Sequence, residues 1–258
     1  MKKTLASALL VLLTSATLVS AQDAKKLKIG VEGAYPPFSQ IGTDGKLKGF
    51  DIDIANALCE QMKAQCTMVQ QEFDGLIPSL QAKKIDAVIA SMSITDERKK
   101  VVEFSDKYYH TPARFVGKKG NGFTATVAGM KGKRIGVQRT TTHDRFATET
   151  FKESEIVRYA KQDDVFLDLA SGRLDAVMVD QVAASQGFLL LPTSKDFAFF
   201  GPVYIEPKYF GAGAGIGMRK TDTVLRDEFN NAIKAIRANG VYKKINDKYF
   251  EFDIYGGK

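Results

Sequence analysis

An echo inside the chain constrains its fold more than any other feature. Leu80-Gln-Ala-Lys-Lys-Ile85-Asp86-Ala87-Val88 is answered by Leu169-Ala-Ser-Gly-Arg-Leu174-Asp175-Ala176-Val177, with the same spacing from helix leucine to Asp-Ala-Val. Each copy is preceded by a matching first strand, Leu27 to Val31 and Lys133 to Val137. Two similar helix-and-strand units follow. In the first, Phe50 to Met62 carries Ile54, Ala55, Leu58, Cys59 and Met62 on one helical stripe. In the second, Val165, Phe166 and Leu169 do the same between Asp163 and Ala170. Helices alternating with short apolar strands predict mostly parallel sheets covered on both faces.

The helical stretches Thr223 to Ala238 and Val241 to Phe250 come after the second unit and have no sheet of their own, so they are expected to return to the first. The fold class is therefore α/β: two Rossmann-like lobes joined by a two-segment hinge. Residues 22–110 and 213–258 form one discontinuous lobe, residues 111–212 the other, and the chain crosses near 110–113 and 207–212. A double crossing hinges rather than dangles.

Lys2 and Lys3 precede an apolar run from Leu5 to Val19 that closes on Ser20-Ala21, the order of a secretory signal cleaved after residue 21. The run is too short and too broken by Ser and Thr to span a bilayer, and no second one exists. A soluble, exported product is expected. The formal charge is +7, and removing the two leader lysines leaves +5. The basic residues alternate with acids and form no block with interleaved aromatics, so no nucleic-acid partner is expected. Cys59 and Cys66 are the only cysteines, and an even pair in an exported chain is expected to form a disulfide. Neither redox nor zinc spacing is present, and no metal or cofactor is expected.

In open α/β sheets ligands bind beyond the carboxyl ends of the strands. Glu32 and Tyr35 follow the first strand, and Phe73 lies just past the next. Ala90, Ser91 and Ser93 close the third, ahead of Thr95, a helix N-cap with Asp96 and Glu97 in its first turn. Arg98, one residue further, is placed to grip a carboxylate through two parallel hydrogen bonds. The second unit offers Gln138 to Thr142, of which Thr141 and Thr142 are candidates, and Asp180. Together these residues complement a zwitterion with an additional positive charge. Arg98, Ser93 and Thr142 meet the α-carboxylate, Asp180 the α-ammonium, Tyr35 and Phe73 the stem, and Glu32 the distal cation. Each has a plainer alternative. Arg98 could pair with Asp96 or Glu103, Tyr35 and Phe73 could be core aromatics, Asp180 could cap the next helix, and Glu32 could face water. The glycine run from Gly211 to Gly217 lacks the dinucleotide spacing and reads as a strand closely approached by other chain.

Several long motifs occur in order: Tyr35-Pro-Pro-Phe38, Gly49-Phe-Asp-Ile-Asp53, the cysteine pair, Phe73 to Leu80, Ser91 to Arg98, and Gly172 to Ala176. Over nearly all the mature chain they resemble the periplasmic polar amino-acid-binding proteins of ABC importers, in particular the lysine/arginine/ornithine and histidine binders. The resemblance implies a hinged two-lobe binding protein of the type II, Venus-flytrap form. It also implies a basic amino-acid ligand, a membrane permease partner, a periplasmic location and a monomer. Residues at Tyr35 and Phe73 would stack on the ligand, those at Ser93 and Arg98 hold its carboxylate, those at Thr142 and Asp180 complete the grip, and an acid stands at Glu32. Ala90 replaces one of two adjacent serines, Glu32 is longer than aspartate, and Arg139 adds a positive charge near the mouth. Histidine and arginine-derived opines therefore stand beside arginine, ornithine and lysine. A rival from another class is an exported dehydratase acting on prephenate-like acids, for which His110 and His143 would be the candidate acids.

Overall fold

Both copies of the echo do the same structural work. In the computed structural model, which describes residues 24–256, Asp86 Oδ2 accepts the backbone N–H of Lys28 at 2.9 Å, and Asp175 Oδ2 accepts that of Arg134 at 2.8 Å. Each acid thereby ties its turn to the first strand of its own sheet. Each also pairs with an arginine, Arg219 for Asp86 at 3.1 Å and Arg134 for Asp175 at 3.0 Å. The repeated glycine belongs to the same device. A Cβ on Gly30 would stand 2.5 Å from Ile85 Cδ1, and one on Gly136 would stand 2.3 Å from Leu174 Cδ1. Only glycine lets these echoed side chains lie directly on the strand. The expected leader, residues 1–21, lies outside the described residues.

Two five-stranded sheets result. The first runs in the order Gln65–Gln70, Lys26–Val31, Ala87–Val88, Ala214–Met218, Glu103–Tyr109. The second repeats the plan with Glu155–Tyr159, Arg134–Gln138, Ala176–Asp180, Ala113–Lys118, Phe197–Tyr204. In each sheet one strand is antiparallel to both neighbours, Ala214–Met218 in the first and Ala113–Lys118 in the second. These are the strands that receive the chain from the other sheet. A crossing chain enters at the cleft, where the other strands end, so it must run away from the cleft. The mostly parallel sheets and their single reversed strands have this one cause.

Phe50–Gln61 packs against Thr223–Ala238 and Val241–Tyr249, and Thr223–Ala238 lies against the strands Glu103–Tyr109 and Ala214–Met218 of the first sheet. Phe50 is fully buried at the centre of an aromatic cluster with Phe38, Tyr108, Tyr109 and Phe250. Burying one such ring contributes about 1.5–3 kcal/mol. The Cys59–Cys66 disulfide joins that helix to the strand Gln65–Gln70, with Cα atoms 6.1 Å apart. The glycine run becomes the strand Ala214–Met218, where a Cβ on Gly215 would stand 2.6 Å from Ile94. No helix among the described residues is long and apolar enough to cross a membrane.

Candidate functional site

The ends of the two sheets face each other across two adjoining cavities, and all ten candidate residues line them. One cavity is bounded by Glu32, Tyr35, Phe73, Ala90 and Arg98, with Thr141 of the second lobe opposite. The other contains Asp180, and both share Tyr35, Ser91, Ser93 and Thr142. Acid and guanidinium, far apart in the chain, stand in one crevice.

Arg98 follows from its short helix. Thr95 is the N-cap, its Oγ1 accepting the Arg98 N–H at 3.3 Å. The guanidinium avoids both Asp96 and Glu103. It donates instead to the Ser93 carbonyl at 3.0 Å and, across the cleft, to the Thr140 carbonyl at 3.1 Å, and lies 5.3 Å from the Phe73 ring centre. No carboxylate pairs with it among the described residues. Burial, with Arg145 nearby, pulls its pKa down to about 10, so it stays cationic at neutral pH. Of its five N–H donors two are used, both on backbone oxygens.

Glu32 is buried rather than facing water, and one oxygen accepts from Gln138 Nε2 at 2.5 Å. Burial pushes its pKa up to about 8, partly offset by that hydrogen bond and reinforced by Asp163 and Asp51. A carboxyl in this state has most to gain from an arriving cation. Tyr35 and Phe73 are each 7% exposed, so they belong both to the core and to the cavity wall.

Asp180 carries out its plainer alternative without leaving the cavity. Oδ1 caps the next helix, accepting from Val182 and Ala183 at 2.8 and 2.9 Å, while Oδ2 accepts from Thr111. Burial raises its pKa to about 6. Thr141 is likewise committed: its hydroxyl accepts from Asp144 N–H at 3.1 Å and donates to the Gln138 carbonyl at 2.7 Å. Its hydroxyl is therefore a cap rather than a free ligand donor. Thr142 opens the helix Thr142–Thr150, whose N-terminus favours an anion.

Ser91 and Thr140 have left-handed backbones, with φ of 53° and 60°, on opposite sides of the cleft. Strain of this kind needs surrounding support. For Ser91 it comes from Asp51, which is wholly buried. Ser91 Oγ donates to Asp51 Oδ2 at 2.8 Å, Tyr108 OH donates to Asp51 Oδ1 at 2.9 Å, and the Ser91 N–H donates to Tyr108 OH at 3.0 Å. The Ser91 hydroxyl, at the wall of the cleft, is thus engaged by Asp51.

Gln138 and Thr111 line the cavities and Asp51 supports their wall without having been singled out from the sequence, and His143, named there only as a candidate acid, lines both cavities. Gln138 stands at a strand end and His143 in the first turn of a helix aimed at the cleft, which were the available signals. Burial and the nearby Arg98 push His143 down to about 3, so it is neutral. Arg139 adds no free charge to the mouth, because it pairs with Glu72 and Asp74. Among the described residues no cluster of His, Cys, Asp and Glu could hold a metal.

The family described as bacterial extracellular solute-binding proteins, family 3, matches residues 27–252. The chain is similar to the L-arginine-binding protein of Pseudomonas aeruginosa, 54% identical over 90% of each chain. It is also similar to the lysine/arginine/ornithine-binding periplasmic protein of Escherichia coli, 46% identical over 99% of each. A solved Salmonella typhimurium periplasmic binding protein described for its high arginine specificity superimposes with a TM-score of 0.82. It is 37% identical, and the match covers 88% of this chain and 100% of that one.

Proposed function

The chain belongs to the bacterial extracellular solute-binding proteins, family 3, and on that premise we propose that it captures a basic L-amino acid, arginine, ornithine or lysine, in the periplasm and delivers it to an ABC importer's membrane permease. The observation that carries this reading is the shared cavity of Glu32 and Arg98, walled by Tyr35 and Phe73. A carboxyl that ionises beside an arriving cation at one pole, and at the other a guanidinium with no carboxylate partner among the described residues, match the two ends of a dibasic amino acid. Buried charges are tolerated when paired, so a neutral side chain beside Glu32 is disfavoured. The names of the relatives support the same ligand class.

In this reading residues 22–110 with 213–258 bind first, through Arg98, Ser93 and the two rings, and residues 111–212 then add Thr142 and Asp180. The ligand shifts the population only through contacts made in the closed shape, about 10⁴-fold to swing 1:99 to 99:1. In this reading the cleft binds rather than catalyses, in line with relatives named as binding proteins. Calorimetric titration with arginine, ornithine, lysine, histidine, glutamine and octopine tests the reading. Heat is expected with the dibasic ligands, and Glu32→Gln is expected to weaken arginine far more than glutamine. No heat with any cationic amino acid would overturn it.

A further inference from the structure

Gln138 belongs to the lobe opposite Glu32, is 3% exposed, and lines the cavity shared by Glu32 and Arg98. Its carboxamide nitrogen donates twice, to Glu32 Oε1 at 2.5 Å and to the Ala160 carbonyl at 3.1 Å. Its backbone carbonyl is tied to the Thr141 hydroxyl at 2.7 Å. The side-chain oxygen accepts no hydrogen bond among the described residues. The cavity lining therefore brings together two groups able to accept hydrogen bonds from a ligand, one from each lobe: the Glu32 carboxyl and the Gln138 carboxamide.

From this juxtaposition we propose that Gln138 is a specificity-determining residue that selects a guanidinium over a primary ammonium at the distal end of the ligand. The inference rests on the reading that the cleft takes a cationic amino acid, and deepens it by naming the preferred cation. A guanidinium is planar and presents several N–H groups along its edges, so it satisfies two acceptors side by side. An ammonium is a strongly hydrated point charge. Once it is placed on Glu32, its other donors radiate out of the plane and leave the amide oxygen unpaired. A polar group left unpaired in a closed site discriminates strongly against the analogue that fails to reach it. The Ala160 carbonyl and Glu32 together occupy the amide nitrogen, which leaves the oxygen as the side chain's remaining hydrogen-bonding group.

The test is calorimetric titration of the full-length mature protein and of Gln138→Leu and Gln138→Met with arginine, lysine and ornithine. Thermal unfolding of each variant checks that the fold is retained. Arginine affinity is expected to fall about 10- to 100-fold, the loss of one charge-assisted hydrogen bond, while lysine and ornithine change by less than about threefold. The ratio of arginine to lysine affinity should drop at least about threefold in both variants. An unchanged ratio, whether both ligands weaken equally or neither weakens, overturns the role of Gln138 and leaves the binding reading standing. A wild-type protein that takes none of the three overturns both.

Discussion

Arg139 and Glu72 meet across the mouth of the cleft, Nη2 to Oε2 at 2.9 Å, and Asp74 stands 2.7 Å from Nε of the same guanidinium. The arginine belongs to the second lobe and the acids to the first, so the contact exists only while the lobes are together. All three side chains keep contact with water, and exposed pairs contribute about 0.2–1 kcal/mol each. Arg139→Ala is expected to weaken amino-acid binding by about two- to tenfold and to flatten its dependence on salt. Titrations at low and high ionic strength measure both. An affinity that keeps its full salt dependence in the variant would remove Arg139 from the closing contacts.

Glu32 is expected to make binding pH-dependent. Burial holds its pKa near 8 against an ordinary value of 4.5, so at pH 7 the carboxyl is largely protonated in the ligand-free cleft. A cation beside it favours the ionised form and expels the proton. Affinity for arginine should therefore rise between about pH 5 and 8 and level off above. Calorimetry in buffers of different ionisation heat should register proton release. For the ligand-free shape the sign is opposite: a raised carboxyl contributes stability that is full below 4.5 and lost as pH rises through about 8. His143, lowered to about 3, contributes stability that is full above 6.5 and lost as pH falls through about 3. Proton uptake on binding would contradict this assignment.

Asp51 lines neither of the two cleft cavities, yet the Ser91 turn depends on it. Asp51→Ala leaves the Ser91 and Tyr108 hydroxyls without their buried acceptor. Leaving such groups unsatisfied costs roughly 1–3 kcal/mol, which urea unfolding would register. Arginine affinity should fall as well, because the left-handed backbone at Ser91 loses its support. A variant of unchanged stability and affinity would show that the turn holds itself.

The disulfide acts on the unfolded chain. Closing the short loop between Cys59 and Cys66 is worth roughly 2–3 kcal/mol in the chain-entropy account. Cys59→Ser with Cys66→Ser should lower the unfolding midpoint while leaving ligand preference untouched. A changed order of ligands would place the pair nearer the site than its position between helix and strand allows.

The repeated lobes were legible because their cause is local. Leucine spacing, the glycine of the first strand and the acid of the turn all lie within one helix-to-strand unit. The cleft was legible in part, since Glu32 and Asp180 stand where strands end and Arg98 in a short helix announced by its N-cap Thr95. What could not be read was the meeting of residues remote in sequence. Glu32 and Gln138 are 106 positions apart, and Ser91 and Asp51 are 40 apart. Strand alternation gives a side chain's face but not its partner across a closed cleft. The same limit hid the commitment of Ser91 to Asp51 and the neutralisation of Arg139, whereas the Thr141 cap joins residues only three positions apart.

The central claim is that Glu32 reads a positive charge at the end of a ligand whose carboxylate Arg98 holds. Citrulline has the length and shape of arginine with a neutral ureido group in place of the guanidinium. Calorimetric titration of the mature protein with both ligands at pH 8 should give binding at least about 100-fold weaker for citrulline, in keeping with the strength of a buried charge-assisted contact. Equal affinities would contradict the account.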